Sequence, residues 1–206
     1  MSVFQLSAWI FSVMTMMAPI DRSSLPTVPG AKETPFERID RYDAISKMAV
    51  QVSFDPNESP LPLTSKEMNQ LNIRTDEQLR AFTALTLVSV ALWESSYFRR
   101  DVDLGTGRLG FGDNGRSVCL MQINVGKGMT AEGWGAKELV EDRDKCFRAA
   151  LHLLQDSWRS CGNVPMEQRA SVYTSGTCRD GISESKHRIS TAVYYWRRID
   201  YKKSNI

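Results

Sequence analysis

Residues 76–98 read DEQLRAFTALTLVSVALWESSYF, and the architecture turns on this stretch. Leu79, Phe82, Leu85, Leu92 and Trp93 recur at helical spacing, and Thr75 with Gln78 has the spacing of a capping box. The spacing predicts a helix over 76–97. Its middle, TALTLVSVAL, is apolar nearly all round, the pattern of a helix at the centre of a domain rather than on its surface. Near its end stands Glu94, among Leu92, Trp93, Tyr97 and Phe98. Burial disfavours a charged carboxylate and raises its pKa. A carboxyl that keeps its proton near neutral pH is what protonating a leaving glycosidic oxygen requires. Most glutamates at helix ends are simply solvated, so Glu94 alone does not decide the matter.

The chain then changes character. Residues 101–123, DVDLGTGRLGFGDNGRSVCLMQI, contain five glycines, a density that opposes helix and favours tight turns. A loop leading into a small β-hairpin or three-stranded ribbon is predicted here. It carries Asp113, Asn114, Ser117 and Gln122, with Asn124 just beyond, all able to fold back over the helix end. Helices are predicted again over 143–160, 165–175 and 183–199, the last with Ile189, Val193, Trp196 and Ile199 on one side. Residues 170–178 (ASVYTSGTC) put Tyr173, Thr174 and Ser175 at a helix end that closes the other side of a groove. Upstream, a helix is expected over 36–53, followed by a loop over 54–64 that holds Pro56, Pro60 and Pro62. The fold class is therefore α+β, predominantly α-helical, with one small sheet beside the end of the central helix.

Residues 2–20 carry no charge, which makes them a candidate signal or membrane-contacting segment. No Lys or Arg precedes them and no small-x-small cleavage site follows, so docking on the domain is the alternative. Residues 21–35 hold three prolines and read as a linker, leaving 36–206 as the folded domain. A chain of 206 residues can bury its own core. With 26 Lys and Arg against 24 Asp and Glu, nucleic acid is not the expected partner. Residues 179–206 have seven basic residues against three acidic ones and could meet an anionic polymer.

With two histidines, four cysteines, no HExxH and no CxxC, the chain predicts neither metal nor cofactor. His152 and His187 read as surface or satisfied residues. An even cysteine count fits an oxidising compartment. If 144–160 is one helix, Cys146 and Cys161 lie about 22 Å apart, too far for a disulfide, which needs Cα atoms within about 7 Å. Two pairings remain: Cys119–Cys146 with Cys161–Cys178, which is preferred, or Cys119–Cys161 with Cys146–Cys178. Four buried thiols are the further alternative.

Three ordered blocks over roughly 75–200 resemble the superfamily of goose-type lysozymes and soluble lytic transglycosylases. They are the apolar helix ending in Glu94-Ser95, then Gly112-Asp113-Asn114-Gly115 with Leu120-Met121-Gln122-Ile123-Asn124, then Tyr173-Thr174-Ser175-Gly176. The resemblance implies a lysozyme-like fold and cleavage of the β-1,4 bond between N-acetylmuramic acid and N-acetylglucosamine in peptidoglycan. Chitin is an outlying alternative. It makes Glu94 the general acid and Asp113 the residue that positions or activates water, with Asp101 and Asp103 in reserve. Ser117, Met121, Gln122, Asn124, Tyr173 and Thr174 would line the sugar groove. The chain departs from the pattern at Cys119, where glycine is usual, at Thr174, where asparagine is usual, and at Asn124, often aspartate.

With Asp113 opposite Glu94, hydrolysis with inversion is expected, the carboxyls lying about 6.5–9.5 Å apart. With no carboxylate there, the substrate's own C6 hydroxyl attacks and an anhydro sugar forms, as in lytic transglycosylases. A wall-binding protein with a degenerate site and a purely structural helical protein are the non-enzymatic alternatives. The resemblance also implies an exported or virion-associated protein.

Overall fold

The computed structural model describes residues 2–19, 33–104, 111–112, 116–126, 128–162 and 164–198. Helix α1 (Val3–Met17) is followed by α2 (Pro35–Phe54), α3 (Ser65–Leu71), α4 (Asp76–Glu94) and the short α5 (Arg100–Asp103). Strands β1 (Phe111–Gly112), β2 (Ser117–Val118) and β3 (Ile123–Asn124) come next. The chain continues through α6 (Ala136–Glu141), α7 (Arg143–Ser160), a 3-10 turn at Met166–Gln168, α8 (Ser171–Ser175) and α9 (Ile182–Arg198). The protein is α+β and predominantly helical, as its sequence predicts.

Helix α4 is the axis of the core. Every residue from Ala81 to Leu92 is buried, and α2, α7 and α9 pack around it. Its buried hydroxyls all find partners, as burial demands. Thr86 donates to the Phe82 carbonyl (2.9 Å). Thr83 donates to Leu79 O and accepts the Leu61 N–H (3.1 Å). Ser89 donates across to the Arg188 carbonyl of α9 (2.6 Å), so a small polar residue joins the two helices. The Thr75–Gln78 capping box opens the helix as expected.

Helix α1 buries Leu6, Ile10, Val13, Met14 and Met17 against α2 and α4, and Trp9 meets Trp196 edge to face (centroids 6.3 Å apart). Of the two readings of 2–20, docking on the domain is the one the described residues show. Among them no helix is long and apolar enough to cross a membrane. The linker read over 21–35 ends early. Thr34 caps α2, Pro35 is its first residue, and Glu33 is clamped by Arg38 and Arg41 (3.2 and 2.7 Å). The rest of that stretch, from 21 to 32, lies outside the described residues.

The ribbon is a three-stranded antiparallel sheet in the order β1-β2-β3, pairing Gly112 with Ser117 and Ser117 with Asn124. Helix α7 runs from Arg143 to Ser160, as read from the sequence, whereas the expected helix over 165–175 is split into the 3-10 turn and α8. The disulfides are Cys119–Cys146 and Cys161–Cys178. The first ties the turn after β2 to the start of α7. The second ties the segment after α8 to the residue that ends α7.

Candidate functional site

Glu94 is the last residue of α4, so the helix predicted to 97 stops short. Ser96, Tyr97 and Phe98 follow with φ of 50°, 72° and 55°, a left-handed run of three non-glycine residues that is costly for L-residues. Packing explains why it persists. The turn drives Phe98 fully into the core, edge-to-face on Tyr42 (5.3 Å). The Tyr97 N–H returns to the Leu92 carbonyl (2.7 Å). From α2, Arg41 donates to the Phe98 carbonyl while Glu33 holds the same guanidinium through Nε and Nη2 (2.7 and 3.0 Å). Burial pushes the Glu33 carboxyl up, but its bonds to Arg41 and Arg38 outweigh that and hold it below the usual range.

The Glu94 side chain is 14% exposed and accepts a hydrogen bond at Oε1 from Arg188 Nε of α9 (2.7 Å). A guanidinium partners the carboxylate rather than the neutral acid. Arg188 belongs to none of the three sequence blocks, although the sequence holds a signal for it. It lies on the stripe Ser185, Arg188, Ile189, Ala192, Val193, Trp196, which is the buried face of α9. A charge on such a stripe needs a buried partner.

Tyr173, from α8, donates its hydroxyl to the Met121 carbonyl. Burial pushes its phenol pKa well up, the Glu94 charge adds to the rise, and Arg188 partly offsets it. Glu94, Arg188 and Tyr173 therefore share one electrostatic neighbourhood, and Tyr173 joins it to the ribbon. Met121 itself is fully buried and contributes its carbonyl rather than its side chain. Gln122 sits with φ 49° beside Cys119 at φ 59°, and its backbone N–H and Nε2 both donate to the Cys119 carbonyl (3.0 Å each). Glycine suits such a backbone at no steric cost. Here a cysteine occupies it, anchored to Cys146.

The remaining predicted residues have narrower parts. Ser117 is buried in β2. Thr174 donates its hydroxyl to the Ser171 and Gly181 carbonyls (3.0 and 3.2 Å). Its hydroxyl is therefore engaged in fixing the α8–α9 turn, where a Cβ on Gly181 would come within 2.3 Å of Thr174 Oγ1. Asn124 accepts the Gly126 N–H (2.8 Å) and opens on a cavity of about 310 Å³ lined also by Glu132, His152 and Asp156. Asp103 does not stand in reserve. It is buried and gripped at both oxygens by Arg143 (2.9 and 2.7 Å). Asp101 falls in α5, its side chain outside the described residues, and Asp113 and Asn114 lie outside them altogether.

His152 bridges Glu132 (2.6 Å, Nδ1) and Glu58 (2.8 Å, Nε2). Burial pushes its pKa down, but bonding to the two carboxylates outweighs burial and raises it. His187 lies flat against Trp93 (5.1 Å, 19°). Among the described residues no group of three or more His, Cys, Asp or Glu is placed to hold a metal ion. No family profile, curated protein or solved structure matches the chain.

Proposed function

We propose that the chain cleaves the glycan strands of peptidoglycan, with Glu94 as the general acid. One observation carries the reading. Three stretches far apart in sequence, ending in Glu94, Met121–Gln122 and Tyr173, converge on one neighbourhood, with the Tyr173 hydroxyl bound to Met121 and its phenol sensing the Glu94 charge. These are the blocks whose order resembles the goose-type lysozymes and lytic transglycosylases.

The Glu94 carboxyl would pass its proton to the oxygen between the two sugars as the glycosidic bond breaks. Arg188 then stabilises the carboxylate left behind. In the hydrolytic form, Asp113 takes a proton from the water that attacks the opposite face, with inversion. In the transglycosylase form, Glu94 takes back a proton from the substrate's C6 hydroxyl as it closes the anhydro ring. The Glu94–Arg188 ion pair is also what favours the second reading, a wall-binding protein without catalysis, because it gives the carboxyl a structural partner that needs no substrate. Two disulfides fit an oxidising, exported setting, and we place the enzyme in the periplasm, outside the cell or on a virion.

The test is a digest of purified peptidoglycan by the full chain beside Glu94→Gln, read by mass spectrometry. New reducing ends that depend on Glu94 support hydrolysis, and products lighter by one water support transglycosylation. No release from several wall types, with binding retained, would replace the enzyme by the wall-binding protein.

A further inference from the structure

Helices α4 and α9 build a second feature beside the ion pair. One residue before Glu94, Trp93 is 39% exposed, and Tyr194 of α9 is 45% exposed. Large aromatic rings are not left in water by packing alone when they cluster. Here Trp93, Tyr97, His187, Thr191 and Tyr194 line a cleft of about 360 Å³. The rings are pre-set. The Trp93 indole N–H donates to Thr191 (3.0 Å), His187 extends its plane in a near-parallel stack, and Tyr97 leans over it at 41°. Flat aromatic surface with hydroxyl and imidazole groups at its edge suits a pyranose ring, whose C–H face is apolar and whose rim is polar.

The cleft also has a charged end. An adjoining cavity of about 340 Å³ shares Tyr194 and is lined by Arg197 and Arg198, with Glu167 as its one acid. The Arg198 guanidinium stands 4.0 Å over the Tyr194 ring. Two cations against one anion complement a strand that carries carboxylates as well as sugars.

We infer that this aromatic cleft is a glycan-binding site, taking a sugar of a carboxylate-bearing strand on Trp93 and Tyr194 and its acidic substituents on Arg197 and Arg198. The identity of the polymer rests on the function proposed above; the site itself does not. Trp93 and His187 stand one position along α4 and α9 from Glu94 and Arg188, so the same two helices carry the cleft and the ion pair. A strand held there is retained while another part of it is cleaved.

The experiment uses the full chain with Glu94→Gln, so that strands stay intact, and titrates it calorimetrically with soluble uncrosslinked peptidoglycan strands, with chitotetraose and with phosphatidylglycerol vesicles. Adding Tyr194→Ala is expected to weaken strand binding about ten-fold, Tyr194→Phe to leave it unchanged, and Arg197→Gln with Arg198→Gln to weaken strands but not chitotetraose. The inference is overturned if Tyr194→Ala, folded by circular dichroism, binds strands as its parent does. It is equally overturned if vesicles bind through Tyr194 and strands do not. Digestion with the unmodified chain separates the two claims. Strand binding lost in Tyr194→Ala without any cleavage by the unmodified chain keeps the cleft and removes the enzyme. Cleavage by the unmodified chain with binding indifferent to Tyr194 does the reverse.

Discussion

The two ends of α4 are made by opposite means. At its start, Thr75 and Gln78 exchange capping bonds, and Arg80 gathers the carbonyls of Ser53, Asp55 and Glu58 (2.9, 3.2 and 3.1 Å). Every local preference there agrees with the fold. At its finish, three residues without glycine's freedom adopt left-handed backbone, and a half-buried carboxyl is paired with an arginine from the far end of the chain. Such conflicts between local preference and structure gather at functional sites. The contrast teaches that the first end is built for stability and the second holds a geometry that stability alone would not select.

The sharpest way to break this contrast is Glu94→Gln. Wall cleavage should fall by at least about 100-fold, the scale of a lost general acid, in a variant that is still folded by circular dichroism, since the amide oxygen can accept from Arg188. Next is Arg41→Met, which takes the guanidinium from the Phe98 carbonyl and leaves Glu33 with Arg38. A loss of about 2–3 kcal/mol is expected in urea unfolding, together with a fall in cleavage per folded molecule, since the turn after Glu94 loses its support. At the other end, Arg80→Met should cost about 1–2 kcal/mol and leave cleavage per folded molecule unchanged. Equal loss of activity from Arg41→Met and Arg80→Met would erase the distinction between the two ends.

A smaller effect concerns pH. His152 joins Glu58, in the loop that Arg80 gathers, to Glu132, and its folded-state pKa is raised. Its contribution is therefore complete below the ordinary histidine pKa of about 6.5 and fades as pH rises through the raised value. Chemical denaturation across pH 5 to 9 should show this decline, and His152→Gln should flatten it. The smallest effect is Ser96→Gly, which relieves a left-handed serine of about 1–2 kcal/mol against the backbone entropy that glycine loses on folding. A net gain of about 0.5 kcal/mol is expected, and a loss would mean that the run is not strained at Ser96.

Much of this was legible in the sequence. The capping box of α4, the extent of α7, the ribbon and the exclusion of a Cys146–Cys161 bond all follow from spacing and local chemistry, whereas the choice between the two remaining pairings does not. The early end of α4 does not. Leu92, Trp93, Tyr97 and Phe98 keep helical spacing, and no glycine or proline marks a stop; only the pull of Phe98 toward Tyr42, from a distant helix, ends it. The splitting of 165–175 and the short α3, α5 and α6 escaped for the same reason, since elements of one or two turns carry too little periodicity to read. At the site, Glu94 and Tyr173 stood out by type and position. Arg188 and Arg41 did not, because their roles depend on partners 94 and 57 residues away.

Helix α7 is a beam with a hook at each end. Cys146 carries the ribbon turn of Gln122, and Cys161 carries the segment that follows Tyr173. The two loops so closed, 27 and 17 residues, are each worth about 3 kcal/mol when oxidised. Neither bond joins α2, α4 or α9 to another element. Where thiols stay reduced, the two pieces hung from the beam are unfastened. Oxidation is thus what fastens the Gln122 turn and the segment after Tyr173 to one and the same helix.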